Sequence, residues 1–397
     1  MHKSQEWRLD MKWSNRGHEF DKSWKQIESR KRVYLFGAGE YGELVWRTLN
    51  KTVGICGFLD NDQSKQKGVY CSLPVYAPGE VNPKDRDKCI VLCISPNTRK
   101  EVIFQLMQAG FIYNENMFTM ESYISIYYAY ALQKVYFPSV SFLPSTRCNL
   151  NCEACLNFTP YMKKFDERPW EQIKEDVDLF FKAVDDIMLF HISGGEPMLY
   201  PRMIELVEYI GSRYRQKIHV LKTVTNGTVL PKEKLLQTLK KHNVVLTVDD
   251  YREAVPDSKD TFDRLILTLE KLGVSYEINK VDEWIDLAPL TTHHESWSEE
   301  RLGKKFDGCH VPWQELRGGK LYSCNYSSYA IVAGLSKENP ADSYDLRSYR
   351  PQQARELMEF RMGYNERGYV EFCKNCSGYV DLNPNKVQPA KQGERRR

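Results

Sequence analysis

Three thiols within eight residues, Cys148, Cys152 and Cys155 in the stretch RCNLNCEACLNFTP, constrain this chain more than any other feature. They follow a strand-like apolar run at 140–144, so the loop that carries them leaves the end of a strand. A Cys-x3-Cys-x2-Cys spacing lets one loop close round a single metal centre. Cubane iron–sulfur clusters are held by Cys thiolates and take four of them, so a loop offering three leaves one iron open to another ligand. Structural zinc is the competing reading, but zinc takes four ligands in paired spacings, and no neighbouring His or Cys completes such a set.

At 397 residues the chain exceeds one ordinary domain, and two or three are expected. Lys plus Arg total 56 against 53 Asp plus Glu, a formal charge of +3, too little to draw the whole surface to nucleic acid or an anionic membrane. The opening MHKSQEWRLDMKW has no apolar signal region, and no run approaches the roughly 18 apolar residues that span a bilayer. A cytoplasmic location is therefore expected, with neither nucleic acid nor membrane as a partner. Eleven cysteines in a reducing compartment point to metal or redox chemistry rather than to disulfides.

Residues 1–31 read as a polar, Trp-containing helical arm. The segment 32–125 then reads as a β-turn-α-β unit: a strand at 32–36, the turn Gly37-x-Gly39-x-x-Gly42, a helix to Leu49, and a second strand ending at Asp60. Such glycines let backbone approach a phosphate at a helix N-terminus, and Asp60 stands near the position from which an acid holds a ribose. A strand at 89–95 and a helix at 98–109 complete about half of a full dinucleotide fold. A mononucleotide or nucleotide-sugar is thus expected before intact NAD; the alternative is a scaffold that only docks a partner. With its GFLDNDQSKQKGVYCSLPVYAP run, this segment resembles the small Rossmann-like domains attached to bacterial polysaccharide-pathway enzymes. The Tyr-, Ile- and Met-rich stretch 114–136 reads as a bridge between domains.

From 136 onward strands and helices alternate. Strands are expected at 140–144, 187–193, 218–225, 244–249 and 275–280, with helices at 170–184, 202–214, 232–242 and 258–272. Five parallel strands with crossover helices suit a doubly wound sheet or a partial barrel, and periodicity does not separate the two. In both, ligands sit at the C-terminal strand ends.

The cysteine loop and its neighbours resemble those of the radical S-adenosylmethionine (radical SAM) enzymes. The resemblance implies an α/β chain with a partial (β/α)6 TIM-type barrel at 136–300, although no sixth strand can be placed from the sequence. In that family the methionine amino and carboxylate groups of the cofactor chelate the open iron. An electron from the cluster then releases a 5′-deoxyadenosyl radical that abstracts hydrogen from substrate. Gly194-Gly195-Glu196-Pro197 looks like the family's GGEP motif, in which glycine backbone and the acid hold the methionine ammonium. Two glycines permit close approach, and an ammonium out of water needs a carboxylate. Without the family the same residues make a strand-to-helix turn with Glu196 in its first turn. Thr225 and Asn226 end the third strand, and Thr247, Asp249 and Asp250 the fourth. The resemblance assigns Thr225 and Asn226 to the cofactor and turns Asp249 and Asp250 toward substrate. Ala154 departs from the pattern, since an aromatic residue commonly stands there near the adenine; Phe158 is the candidate replacement.

A second group of thiols follows as Cys309-x9-Gly319-x4-Cys324 and Cys373-Lys-Asn-Cys376. Four thiols close a site, and zinc is satisfied by them as well as a cluster is. The spacing resembles the twitch, or short SPASM-like, extension, which implies a small domain at 301–385 carrying an auxiliary cluster; residues 386–397 read as a solvated basic tail. The implied cofactors are two [4Fe–4S] clusters and S-adenosylmethionine, with a flavodoxin- or ferredoxin-type electron donor. Cys56, Cys71, Cys89 and Cys93 lie in the Rossmann-like segment, where buried inert thiols are common. No thiol is left to return a hydrogen to substrate, as an epimerase requires. The expectation is therefore a radical SAM oxidoreductase that dehydrogenates a small polar substrate, such as a sugar, sugar nucleotide or aminocyclitol, in polysaccharide or natural-product biosynthesis. A radical epimerase, a peptide-maturing enzyme and a non-enzymatic cluster scaffold are the alternatives.

Overall fold

The computed structural model describes residues 10–309 and 313–394. The first nine residues of the expected arm and the Arg395–Arg397 end of the expected tail lie outside the described residues. The chain divides into two compact units. One comprises Asn15–Pro138 with Pro351–Met362, the other Met1–Ser14, Ser139–Arg350 and Gly363–Arg397. Of the described residues, 10–14 group with the larger unit and 15–31 with the smaller, and 313–350 and 363–385 group with the larger.

The smaller unit runs α1 (Asp21–Glu28), β1 (Arg32–Phe36), α2 (Glu40–Leu49), β2 (Gly54–Leu59), β3 (Val69–Tyr70), β4 (Leu73–Tyr76), β5 (Lys88–Leu92), α3 (Pro96–Gln108), β6 (Met117–Thr119) and α4 (Met120–Tyr127). Its sheet has the order β3-β4-β2-β1-β5-β6. All pairs are parallel except the β3–β4 hairpin. Strands β1 and β5 are apolar runs with few polar interruptions, as strands covered on both faces must be. Strand β6 lies in the stretch expected to bridge domains; its three buried residues instead complete the sheet beside β5. A three-residue strand leaves no period to read.

Strand β7 (Tyr136–Phe142) spans the division at Pro138, and the larger unit continues with α5 (Trp170–Ala183), β8 (Asp186–Ile192), α6 (Met203–Arg213), β9 (Ile218–Thr225), α7 (Glu233–Lys241), β10 (Val244–Asp249), α8 (Lys259–Leu272) and β11 (Tyr276–Asn279). After these come β12 (Trp284–Ile285), α9 (Glu299–Asp307), β13 (Glu315–Arg317), β14 (Lys320–Tyr322), α10 (Asn325–Val332), β15 (Ser343–Asp345) and β16 (Lys386–Val387). The main sheet has the order β11-β10-β9-β8-β7-β13-β14-β15. Its β8 to β11 strands pair in parallel, each joined to the next by a helix. The apolar stripes of α5 to α8 are buried, whereas the last three residues of β11 are exposed, as suits an edge.

No sixth strand extends that edge among the described residues. Growth occurs at the other edge, where β13 lies parallel to β7 with Glu315 opposite Ser141. The β13–β14 hairpin turns through Gly318 and Gly319, at φ +61° and +74°, the left-handed pair that a two-residue type I′ turn demands. Both turn N–H groups donate to the buried Asp176 carboxylate of α5. Gly319, read from the cysteine spacing as part of a cluster motif, thus serves the turn that attaches Cys324 to the main sheet.

The expected solvated tail is paired as far as it is described. Strand β16 runs antiparallel to β12, and Gln392 forms an antiparallel bridge with Cys152. Among the described residues no helix is long and apolar enough to cross a membrane.

Candidate functional site

The end of β7 delivers Cys148, Cys152 and Cys155 into one compact loop. It is closed by backbone bonds from Cys155 N–H to Cys152 O (3.2 Å) and from Phe158 N–H to Cys155 O (2.9 Å). The three sulfurs lie within one another's electrostatic reach, and burial pushes the Cys148 and Cys152 thiols up to about 12. Thiols so enclosed stay neutral unless a metal takes the place of their protons. The Leu150 N–H points at Cys148 Sγ from 3.4 Å.

The Gly-Gly-Glu turn that follows β8 packs directly on this loop. Gly195 N–H donates to Ser145 O (3.0 Å) and Glu196 N–H to Arg147 O (2.7 Å). A Cβ on Gly195 would stand 2.4 Å from the carbonyl oxygens of both Thr146 and Arg147. No side chain fits there, so the glycine is required by the close approach of two backbones. The Asn157 amide donates to Gly194 O. Glu196 is buried and tied down at both oxygens: Oε1 accepts from Met198 N–H (2.9 Å) and Oε2 from Asn226 N–H (2.7 Å). It therefore caps its own turn and joins the ends of β8 and β9. Burial raises its carboxyl to about 7 against these N–H bonds, and an arriving ammonium would restore its charge.

Asn226 carries the assembly on. Its amide donates to Asn149 Oδ1 (3.0 Å) and faces Cys148 Sγ at 4.0 Å, while Thr225 is fully buried beside it. Asp249 ends β10 in the field of Cys152 and Glu196. It accepts from Tyr251 O–H (2.8 Å) and Asn279 Nδ2 (2.7 Å), and burial raises its carboxyl. The adjacent Asp250 is engaged differently. Both its oxygens receive Arg252 at 2.8 Å, and Arg252 also reaches Asp263. The structure thus gathers the three cysteines, Glu196, Asn226 and Asp249, and commits Asp250 to an ion pair. Phe158 is buried edge-on to Tyr161 and Phe372.

Parallel register adds His191, Lys222, Glu277 and Asn279, which the sequence did not single out, to Thr247 and Asp249, which it did. His191 lies opposite Lys222, Thr247 opposite Glu277 and Asp249 opposite Asn279, all on one face of the sheet. Glu277 Oε1 accepts from Lys222 Nζ (2.6 Å) and Thr247 Oγ1 (2.8 Å). Enclosure and then Lys222 push His191 down to about 4, so it is neutral at pH 7. A period-two polar alternation ending in GGEP was the available signal for His191.

Cys309, Cys324, Cys373 and Cys376 border a single apolar cavity of about 20 Å³. Lys305 stands at its edge, donating to Cys373 O (3.0 Å) and Cys376 O, and Gly378 N–H points at Cys376 Sγ from 3.3 Å. Among the described residues no three His, Cys, Asp or Glu side chains are gathered as a single metal ion requires. Cys324 and Cys376 belong to a buried apolar cluster that also holds Leu143, Phe158 and Phe372, with Leu156 packed against it. The donor set fits a second iron–sulfur cluster: four thiols, no competing carboxylate, and N–H groups aimed at sulfur.

In the smaller unit, Gly37, Gly39, Gly42 and Asp60 do come together. Gly42 packs helix on strand so closely that a Cβ would meet Gly37 O at 2.0 Å. Asp60, however, is occupied within the chain: Oδ2 accepts from Ala38 N–H (2.9 Å) and Lys65 Nζ (3.2 Å), and Oδ1 from Asp62 N–H (2.9 Å). Glu40 and Glu43 already place negative charge on the first turn of α2.

Residues 142–279 match the Radical SAM superfamily. No curated protein matches the chain. Among solved structures, a histidine-tagged anSMEcpe with bound AdoMet is 19% identical over 36% of this chain and 42% of that one, at a TM-score of 0.30. Streptococcus suis SuiB bound to S-adenosylmethionine is 16% identical over 41% and 36%, at 0.30. The chain thus spans less than half the length of these two proteins. BtrN in complex with AdoMet and 2-DOIA is 20% identical over 62% of this chain and 97% of that one, at 0.39.

Proposed function

We propose that this chain is a radical SAM oxidoreductase that dehydrogenates a small polar substrate, a sugar, sugar nucleotide or aminocyclitol, to a carbonyl compound. The observation that carries the reading is the pairing of two thiol groups in one unit. Three thiols lie at a strand end beside Glu196, and four border one apolar cavity, with one apolar cluster packed between their loops.

Cys148, Cys152 and Cys155 would hold the first [4Fe–4S] cluster, and Gly194, Gly195 and Glu196 the methionine end of S-adenosylmethionine. Cys309, Cys324, Cys373 and Cys376 would hold the second cluster. When bound, the first cluster and S-adenosylmethionine supply the adenosyl radical that takes a hydrogen atom from substrate. Asp249 is assigned as proton acceptor, because its carboxylate ends β10 within the field of Cys152 and Glu196 and desolvation raises its affinity for a proton. Besides the hydrogen atom so removed, the substrate hydroxyl would give its proton to Asp249, and the group held by Cys309, Cys324, Cys373 and Cys376 would be the acceptor for the remaining electron. That leaves a C=O bond. All seven cysteines of this unit are used by the two thiol groups, and Cys56, Cys71, Cys89 and Cys93 belong to the other unit.

Anaerobic turnover tests the reading. A ketone formed with one 5′-deoxyadenosine per event is expected; solvent deuterium at an inverted carbon would instead establish epimerisation. Absence of reductive S-adenosylmethionine cleavage would leave only a scaffold. UDP-, GDP-, CMP- and dTDP-sugars can be screened by thermal shift, where a ligand at 100 Kd stabilises by about 2.7 kcal/mol. No response from any of them would count against a sugar nucleotide.

A further inference from the structure

The segment 390–393 lies across the first cysteine loop as a short strap. Glu153 N–H donates to Lys391 O (2.8 Å) and Gly393 N–H to Asn151 O (2.9 Å). This makes Cys152 and Gln392 a non-hydrogen-bonded antiparallel pair, the kind that brings facing side chains closest. The Gln392 amide then uses every group it has. Its Oε1 accepts from Asn151 N–H (2.8 Å), and its Nε2 donates to Ala390 O (2.6 Å) and to Cys152 Sγ (3.3 Å). Swapping the amide atoms would set oxygen against oxygen and N–H against N–H, so the surroundings fix the orientation. Ala390 is fully buried and anchors the strap, whereas the Lys391–Glu153 ion pair is exposed and adds little.

We propose that Gln392 is a positioning residue for the first cluster, aiming an N–H at the sulfur of ligand Cys152 and raising the cluster's reduction potential. The proposal rests on the reading of Cys152 as a cluster ligand. An N–H pointed at a thiolate sulfur favours the more negative, reduced cluster, and hydrogen bonds to sulfur are among the determinants of iron–sulfur potentials. The second thiol site has its own donors, so the effect should be confined to one cluster.

Two variants separate the contact from the strap. Gln392→Leu removes both polar groups, while Gln392→Glu keeps the acceptor for Asn151 and loses the donor. In EPR-monitored redox titrations of the reconstituted protein, S-adenosylmethionine identifies the signal of the first cluster by perturbing it. Both variants should move that midpoint to more negative potential, with iron content and the other midpoint unchanged. An unmoved midpoint in either variant overturns the proposal. A cluster-free arm keeps the strap testable alone. Truncation before Ala390 should speed iodoacetamide alkylation of Cys152 about tenfold relative to Cys309, and equal rates would refute the strap. Faster alkylation in a protein whose parent takes up no iron would leave the strap standing and defeat the cluster reading.

Discussion

Glu315 offers a quantitative test of how the two thiol loops are tied together. Its Oε1 accepts from Leu143 N–H (3.0 Å), at the end of the strand leading to Cys148. Its Oε2 accepts from Tyr329 O–H (2.9 Å), on the helix that follows Cys324, and Tyr329 meets Ser141 Oγ at 2.7 Å. Burial raises the Glu315 carboxyl from 4.5 to about 7. The folded protein therefore holds this proton more tightly than the unfolded chain does. The stability this confers is complete below pH 4.5, declines as pH rises toward 7, and is gone above that. At 1.36 kcal/mol per pKa unit the full change is about 3 kcal/mol. Glu315→Gln mimics the neutral acid, since its oxygen can accept from Leu143 and its N–H can donate to Tyr329. Urea midpoints of reduced, metal-free protein should coincide with the parent's at about pH 4, below the unfolded value. At pH 8 the variant should be more stable by about 3 kcal/mol, taken as the midpoint difference times a shared slope. A difference that is the same at both pH values would refute the burial argument.

Gly195→Ala forces a Cβ to 2.4 Å from two carbonyl oxygens and should weaken S-adenosylmethionine binding at least about tenfold by calorimetry. Gly39→Ala, with nothing within 4 Å, should leave it unchanged; equal affinity in both variants would refute the close-approach account. Cys324→Ser should lower iron from about eight to about four atoms per chain while S-adenosylmethionine cleavage persists. Zinc found in the parent protein at that stoichiometry would end the second-cluster reading. Asp249→Asn should cut product formation by about 10²–10⁴-fold while 5′-deoxyadenosine is still released; an unchanged turnover rate would remove Asp249 as proton acceptor.

The alternating core was legible because its signal repeats. Strand β10 falls at its expected bounds, and α5 to α8 fall within a residue or two, since apolar stripes at helical spacing separate apolar strands. The cysteine groups were legible because their short spacings stand out in the sequence, and the structure brings each group together. What escaped depends on pairing between distant segments. Strands β12 and β16 are two residues each, and the contact of Gln392 with Cys152 is a single bridge. No local period encodes these. The row of His191, Lys222 and Glu277 depends on strand register, and the occupation of Asp60 by Lys65 and the Ala38 N–H depends on how the turn folds. Gly319 answers to hairpin geometry, a cause that cysteine spacing does not encode.

The strap also fixes an order of events in the cell. Gln392 lies 240 residues beyond the cysteine it contacts, and ribosomes add about 5–20 residues per second. For tens of seconds, by that estimate, the nascent loop displays its cysteines without the strand that later crosses it. Iron–sulfur delivery during that interval would meet an open loop; delivery after release would meet a covered one. The interval in which that loop stands uncovered is thus set by the distance between two short segments of the same chain.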